Sequence, residues 1–127
     1  MESDLVKLSY LVVTTTLVMM LIGCSGGQDK VVINYCKAVE AGKLDEAASY
    51  LSKDARQELE RAGGSKLLAA AGEGFKQYKG IKEITISKKT VSGESAVVEL
   101  VYNFNDGSKI GDSFPLVKEN GTWKITK

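Results

Sequence analysis

The fold is decided by residues 98–125, which read VELVYNFNDGSKIGDSFPLVKENGTWKI. Large apolar residues recur there at every second position, which is typical of a strand with one buried face; the first four are Val98, Leu100, Tyr102 and Phe104. Asn105-Asp106-Gly107 and Asn120-Gly121 have the composition of tight hairpin turns and divide the stretch into three parts. The pattern therefore predicts three antiparallel strands in succession.

A fourth strand is predicted upstream, where Ile84 and Ile86 alternate with polar neighbours. The strand after the first turn contains Ile110, Phe114 and Leu116. The last strand contains Trp123 and Ile125. Pro115 cannot donate a backbone hydrogen bond, so we expect an edge position or a bulge there.

Before Gly80 the apolar period is close to 3.6, which predicts helices. The first helix follows Asp29, a possible N-cap, and ends at Gly42; its apolar stripe consists of Val31, Val32, Tyr35, Cys36 and Val39. Three further helical segments are predicted, beginning near Asp45, Asp54 and Ser65; the last contains Gly72 and Gly74, which either kink it or allow a close approach of the sheet. Helices followed by strands predict an α+β fold, with N-terminal helices packed on a four-stranded antiparallel sheet.

The N-terminal segment has the pattern of an export signal. Residues 8–23 contain no charge and end in Leu21-Ile22-Gly23-Cys24, which resembles the bacterial lipobox. We predict a signal peptide at 1–23, cleavage between Gly23 and Cys24, and acylation of Cys24. Residues 24–28 would then form the lipidated cysteine and a short tether, and residues 29–127 the domain. An ordinary signal anchor with a chance cysteine is the alternative.

This reading places the protein in the cell envelope, anchored to a membrane by lipid. Ser25 follows the modified cysteine, and by the sorting rule of such lipoproteins a residue other than Asp there indicates the outer membrane, if the host has one. Glu2 and Asp4 fit less well, because the start of an export signal is normally basic.

Composition argues against several functional classes. The 17 basic and 16 acidic residues nearly cancel, and no long basic run is present, so nucleic-acid binding is not expected. The chain has no histidine, the commonest general base and metal ligand near neutral pH. No phosphate-binding glycine loop, zinc-ligand spacing or nucleophile elbow is present. We therefore predict no catalytic residue, no cofactor and no metal.

Several residues of the domain are candidates for a pocket lining, namely Tyr35, Tyr102, Asp112, Phe114 and Trp123. The aromatic residues equally suit a packed core, which we favour for a domain of this size. Asp112 shares the strand phase of Ile110 and Phe114, so it is expected to point inward unless the register slips by one residue. Asp106 could pair with it, although aspartate is common in turns for backbone reasons.

Cys36 could be a reactive thiol, but its place on the apolar stripe favours a small buried hydrophobe. If Cys24 carries lipid, Cys36 has no cysteine left to pair with, and no internal disulfide is expected.

Two segments resemble a small bacterial lipoprotein domain family of unknown function, with a nuclear-transport-factor-2-like, or cystatin-like, cone fold. They are residues 35–47, YCKAVEAGKLDEA, and residues 114–125, FPLVKENGTWKI. The resemblance implies a curved antiparallel sheet that wraps an N-terminal helix and can enclose a pocket. Enzymes of this fold often place an aspartate and a histidine in that pocket, and this chain has no histidine.

The sequence thus predicts a lipid-anchored envelope protein whose domain binds a target without catalysis. The target could be a protein, a peptide or a small apolar molecule. One alternative is a small enzyme that uses a pocket carboxylate such as Asp112. The other is a structural role in envelope assembly, with the outer sheet face as the contact surface.

Overall fold

The structure is a computed structural model and describes residues 27–127. The predicted signal peptide, its cleavage site at Gly23 and Cys24, the lipidation site Cys24 and the sorting position Ser25 lie outside the described residues. Within residues 27–127, no helix has both the length and the apolar character needed to cross a bilayer.

Four helices precede four strands in the described part of the chain, which confirms the predicted α+β class. The helices are α1 (residues 27–41), α2 (Leu44–Ser49), α3 (Lys53–Ala62) and α4 (Ser65–Lys76). The strands are β1 (Ile81–Ser92), β2 (Ser95–Phe104), β3 (Lys109–Glu119) and β4 (Thr122–Ile125). They form one antiparallel sheet in the order β1-β2-β3-β4, so each strand pairs with its neighbour in sequence.

The sheet bends where β1 carries extra residues. The pairing of β1 with β2 shifts register between Ile81 and Glu83 and again between Ile86 and Lys88. Such bulges bend a strand and increase its twist. The sheet therefore curves, and its concave face receives the helices.

The core lies between α1 and this concave face. Val32 and Cys36 on α1 are almost completely buried, as are Val98 and Leu100 on β2. The remaining buried positions of β2, Tyr102 among them, follow the same alternation, so the predicted inward face is the observed one. A second, smaller cluster joins α1 to α2 and α4.

Helix α1 begins earlier than the sequence indicated. Gly27 and Gln28, which we placed in the tether, are helical, and Asp29 lies inside the helix instead of capping it. Tertiary contacts account for the difference, because Gln28 is buried and the backbone at Gly27 approaches the Trp123 ring. Asp29 instead forms an ion pair with Lys89 of β1, at 3.3 Å between Oδ1 and Nζ.

Pro115 lies where β3 loses its second neighbour. Strand β4 pairs with β3 over Leu116–Glu119, and one further hydrogen bond runs from the Thr126 N–H to the Pro115 carbonyl at 2.8 Å, so β3 becomes an edge strand at Pro115. The expected edge position for this proline is therefore confirmed.

Gly72 allows two helices to touch. A Cβ atom added at Gly72 would lie 2.7 Å from the backbone oxygen of Val39 on α1. The close approach is thus made by a helix and not by the sheet, and α4 runs unbroken through both of its internal glycines. At Gly74 an added Cβ would meet no atom of residues 27–127 within 4 Å.

This contrast yields a matched pair of substitutions. Gly72→Ala should lower the free energy of unfolding by about 1–3 kcal/mol, because α1 and α4 must move apart. Gly74→Ala should leave it unchanged or raise it by about 1 kcal/mol, because alanine favours the helix without a clash. Urea unfolding followed by circular dichroism measures both, and equal effects of the two substitutions would contradict the close contact.

Candidate functional site

A cavity of about 230 Å³ lies between α1, α4 and the concave face of β2 and β3. The residues that line it are Tyr35, Cys36, Val39, Ala71, Phe75, Tyr102, Asp112 and Phe114. Seven of these eight are aliphatic, aromatic or carry a thiol, so the walls are largely apolar. The cone is thus incompletely filled.

Strand register places Asp112 at this cavity. Asp112 pairs with Leu100 across β2 and β3, and Leu100 is buried on the concave face. Paired residues of neighbouring strands share a face, so Asp112 points toward the helices although its side chain remains exposed to solvent. Phe114 lies two residues further along and has the same orientation.

The helical residues of the lining come from helical spacing. Tyr35, Cys36 and Val39 lie on one face of α1, and Ala71 and Phe75 are four residues apart on α4. The close contact at Gly72 holds α4 beside α1 and so sets the distance between these two walls.

A short hydrogen-bonded chain runs from the cavity wall to its mouth. The Tyr102 hydroxyl donates to Asp112 Oδ2 at 2.8 Å, and the backbone N–H of Ser113 donates to Asp112 Oδ1 at 2.8 Å. The Cys36 thiol lies 3.6 Å from the Tyr102 hydroxyl oxygen. Since Tyr102 donates its proton to the carboxylate, the thiol is the donor in the remaining contact.

Burial keeps the thiol and the phenols of this chain protonated. Burial raises the pKa of the Cys36 thiol from 9.0 to about 11, and the charge of Asp112 adds to the effect. Burial also raises the pKa of Tyr102 far above its ordinary value, and that of Tyr35 to a smaller extent. A thiol with a raised pKa is a poor nucleophile. The hydrogen-bonded side chains of Cys36, Tyr102 and Asp112 therefore supply hydrogen bonds and not a reactive sulfur.

Aromatic rings form two sides of the cavity. Tyr35 meets Phe114 edge to face with ring centres 6.0 Å apart, and Phe75 lies 5.1 Å from Tyr102. Tyr35 and Phe114 also border a second, more open groove of about 340 Å³ beneath α3. The ring pair therefore separates the cavity from this groove.

Of the five residues predicted to line a pocket, the structure brings four together and separates one. Tyr35, Tyr102, Asp112 and Phe114 line the cavity, whereas Trp123 does not. Trp123 is half-buried on β4, where it packs against the core and lies under the Lys118 amine at 5.5 Å. The short β4 strand pairs with the end of β3 that lies away from Asp112, which explains the separation.

Asp106 does not join Asp112 at the cavity. Its carboxylate accepts a hydrogen bond from the Ser108 N–H at 2.8 Å within the β2–β3 turn, which is the backbone role that aspartate commonly has in turns. Val39, Ala71 and Phe75 are lining residues that the sequence marked only as apolar helix positions. Within residues 27–127, no group of three or more acidic, cysteine or histidine side chains is arranged to hold a metal ion.

Comparisons with known proteins identify a family and a fold. The sequence model of a family described as a domain of unknown function, DUF4878, matches residues 22–126. No curated protein matches the sequence.

Solved structures resemble the chain in fold at low sequence identity. A Campylobacter jejuni protein, described only provisionally as an NTF2-like transpeptidase, has a TM-score of 0.67 at 20% identity, covering 78% of this chain and 96% of its own. The designed NTF2-fold protein NT-9 has a TM-score of 0.51 at 23% identity, with 77% and 80% covered. A protein of unknown function with a cystatin-like fold from Methylobium petroleophilum has a TM-score of 0.51 at 11% identity, with 80% and 74% covered. These likenesses confirm the NTF2-like, or cystatin-like, cone.

The raised pKa of Cys36 can be tested in the Cys24→Ser variant, where Cys36 is the remaining cysteine of the chain. At pH 8 the folded protein should react with iodoacetamide roughly 100-fold more slowly than the same protein in urea, because the thiolate fraction falls about tenfold per unit of pKa. The rate should rise with pH until about pH 11. Equal rates in the folded and unfolded protein would contradict a buried, protonated thiol.

Proposed function

We propose a function for this chain on the premise that it belongs to the DUF4878 family, whose domain has no known function. The chain is a lipid-anchored protein of the cell envelope, and its cone domain binds a small, largely apolar molecule without transforming it. Cys24 carries the anchor, and residues 27–127 contain the binding domain.

The observation that carries the binding proposal is the cavity itself. Interiors of proteins are normally packed with few voids larger than a water molecule. An apolar cavity of about 150 Å³ holds a benzene molecule, so about 230 Å³ has room for a ring with a short side chain. The apolar walls would supply binding energy, and Asp112 with Tyr102 would orient a polar group.

The residues of the anchor lie outside those described, so the support for the anchor proposal comes from the sequence. Gly23-Cys24 ends an uncharged segment of export-signal length. The folded domain begins close behind, with helix already present at residue 27. A lipid on Cys24 would therefore hold the cone within a few residues of the membrane surface.

Catalysis remains the second candidate, and the Tyr102–Asp112 hydrogen bond at the cavity is the observation that favours it. An acid and a hydroxyl that meet beside a cavity are a common arrangement in active sites. The raised pKa of Cys36 makes its thiol a weak nucleophile, and that of Tyr102 makes its phenol a weak acid. We therefore favour binding, in which the ligand is recovered chemically unchanged.

A role of the outer sheet face in assembly has less support. Val97 alternates with buried Ala96 and Val98, so it lies on the outer face, where 39% of it is exposed. Its neighbours across the strands are Thr90 and Pro115. Val97 and Pro115 are adjoining exposed apolar residues beside the polar Thr90, and two such residues are too few to form an interaction patch.

The binding proposal predicts that filling the cavity abolishes binding. Ala71→Leu adds carbon atoms to the lining, so it should eliminate the binding of 3-phenylpropan-1-ol while the domain stays folded. Ala70→Leu is the matched control, because Ala70 is exposed on the same helix and does not line the cavity. Calorimetry on the full chain in a nonionic detergent measures both. Undiminished binding in Ala71→Leu would place the ligand elsewhere.

The anchor proposal predicts that Cys24→Ser abolishes lipid attachment. The variant should leave the membrane fraction and lose the incorporation of labelled palmitate, because the acylated thiol is gone. Cys36→Ala keeps the lipidation site and should remain labelled. Membrane retention of Cys24→Ser equal to that of the native chain would refute the anchor.

A further inference from the structure

Asp112 is the charged residue of the cavity lining, and no cation pairs with it in the part of the chain described. Among the described residues that line the cavity there is no lysine or arginine. The ion pairs formed among residues 27–127 involve Asp29, Glu58 and Glu73 as the acidic partners, and not Asp112. The negative charge at the cavity is therefore not paired with a cation from residues 27–127.

The carboxylate also keeps part of its hydrogen-bonding capacity. Each of its oxygens accepts one hydrogen bond, Oδ2 from Tyr102 and Oδ1 from the N–H of Ser113. Each carboxylate oxygen has two lone pairs, so one acceptor site remains on each. Tyr102 and Ser113 therefore fix the orientation of the carboxylate and leave two of its acceptor sites for a ligand.

Surrounding groups increase the preference for a positive charge. Glu40 and Asp112 both raise the pKa of Cys36 through their negative charge, so the electrostatic potential at this wall of the cavity is negative. The rings of Tyr35, Phe75 and Phe114 bound the same space, and aromatic faces attract cations. The negative charge, the free acceptor sites and the aromatic walls thus all favour a positively charged group in the ligand.

We infer that the ligand of this cavity carries a protonated amino group that pairs with Asp112, attached to a compact aromatic or branched aliphatic body. This inference rests on the proposed binding function and specifies its ligand class. The body occupies the apolar space between Tyr35, Phe75 and Phe114, and the ammonium lies at the mouth, where the carboxylate is partly solvated.

The test uses three probes that share one body and differ in charge: 3-phenylpropylamine, 3-phenylpropan-1-ol and 3-phenylpropionate. Binding to the full chain is measured at pH 7 by calorimetry in nonionic detergent. The amine should bind about tenfold more tightly than the alcohol, because it forms a charge-assisted hydrogen bond. 3-Phenylpropionate should bind more weakly than the alcohol, because the negative charge of Asp112 repels the negative charge of this probe.

Asp112→Asn should remove the preference for the amine over the alcohol, because the negative charge that pairs with the ammonium is gone. Asp106→Asn is the matched control, because Asp106 lies in the β2–β3 turn and does not line the cavity; it should keep the amine preference. If Asp112→Asn does not fold, the binding of the probes to the native chain is compared at 50 and 500 mM salt instead. Salt should weaken the amine alone, since it screens the ion pair.

The outcomes separate this inference from the binding function on which it rests. Equal affinity for the amine and the alcohol, or an amine preference that survives Asp112→Asn, would overturn the inference and leave the binding function intact. Failure of all three probes to bind would overturn both. A preference for the amine that is lost only in Asp112→Asn supports both.

Discussion

The structure depends on the burial of one helical stripe in the bend of a sheet. Val32 and Cys36 of α1 are almost fully buried against Val98 and Leu100 of β2. A flat sheet would contact a helix along a narrow line, whereas the register shifts in β1 curve the sheet around it. Apolar burial of this kind is the largest favourable contribution to folding. Helices α2 and α4 then pack against α1.

The same curvature leaves space that the side chains do not fill. Helix α1 packs on the concave face, and α4 is held against α1 where Gly72 meets the Val39 carbonyl. Between these helices and β3 the wall is completed by Phe114 and by Asp112, a polar residue at an inward position. Burying a carboxylate without a cationic partner is costly, and Asp112 at this end of the cone stays exposed to water. Opening and apolar interior together make a binding site.

Fold likeness alone does not say what such a site does. The cone is shared with solved proteins at 11–23% identity, some natural and one designed. Family membership supplies no activity either, because the family is one of unknown function. Any conclusion about function must come from the side chains that face the cavity. Here they are aromatic rings, a protonated thiol and a carboxylate held by one phenol.

Local patterns in the sequence determined the strands, the turns, the order of helices before strands, and the inward side of Tyr102, Asp112 and Phe114. Each depends on a period or a turn that is readable over a few residues. Tertiary structure alone decided that α1 starts by residue 27, that Trp123 lies apart from the cavity, and that Ala71 and Phe75 of α4 line it. These facts follow from which distant elements touch, as at Gly72 and Val39, and no local period records such contacts.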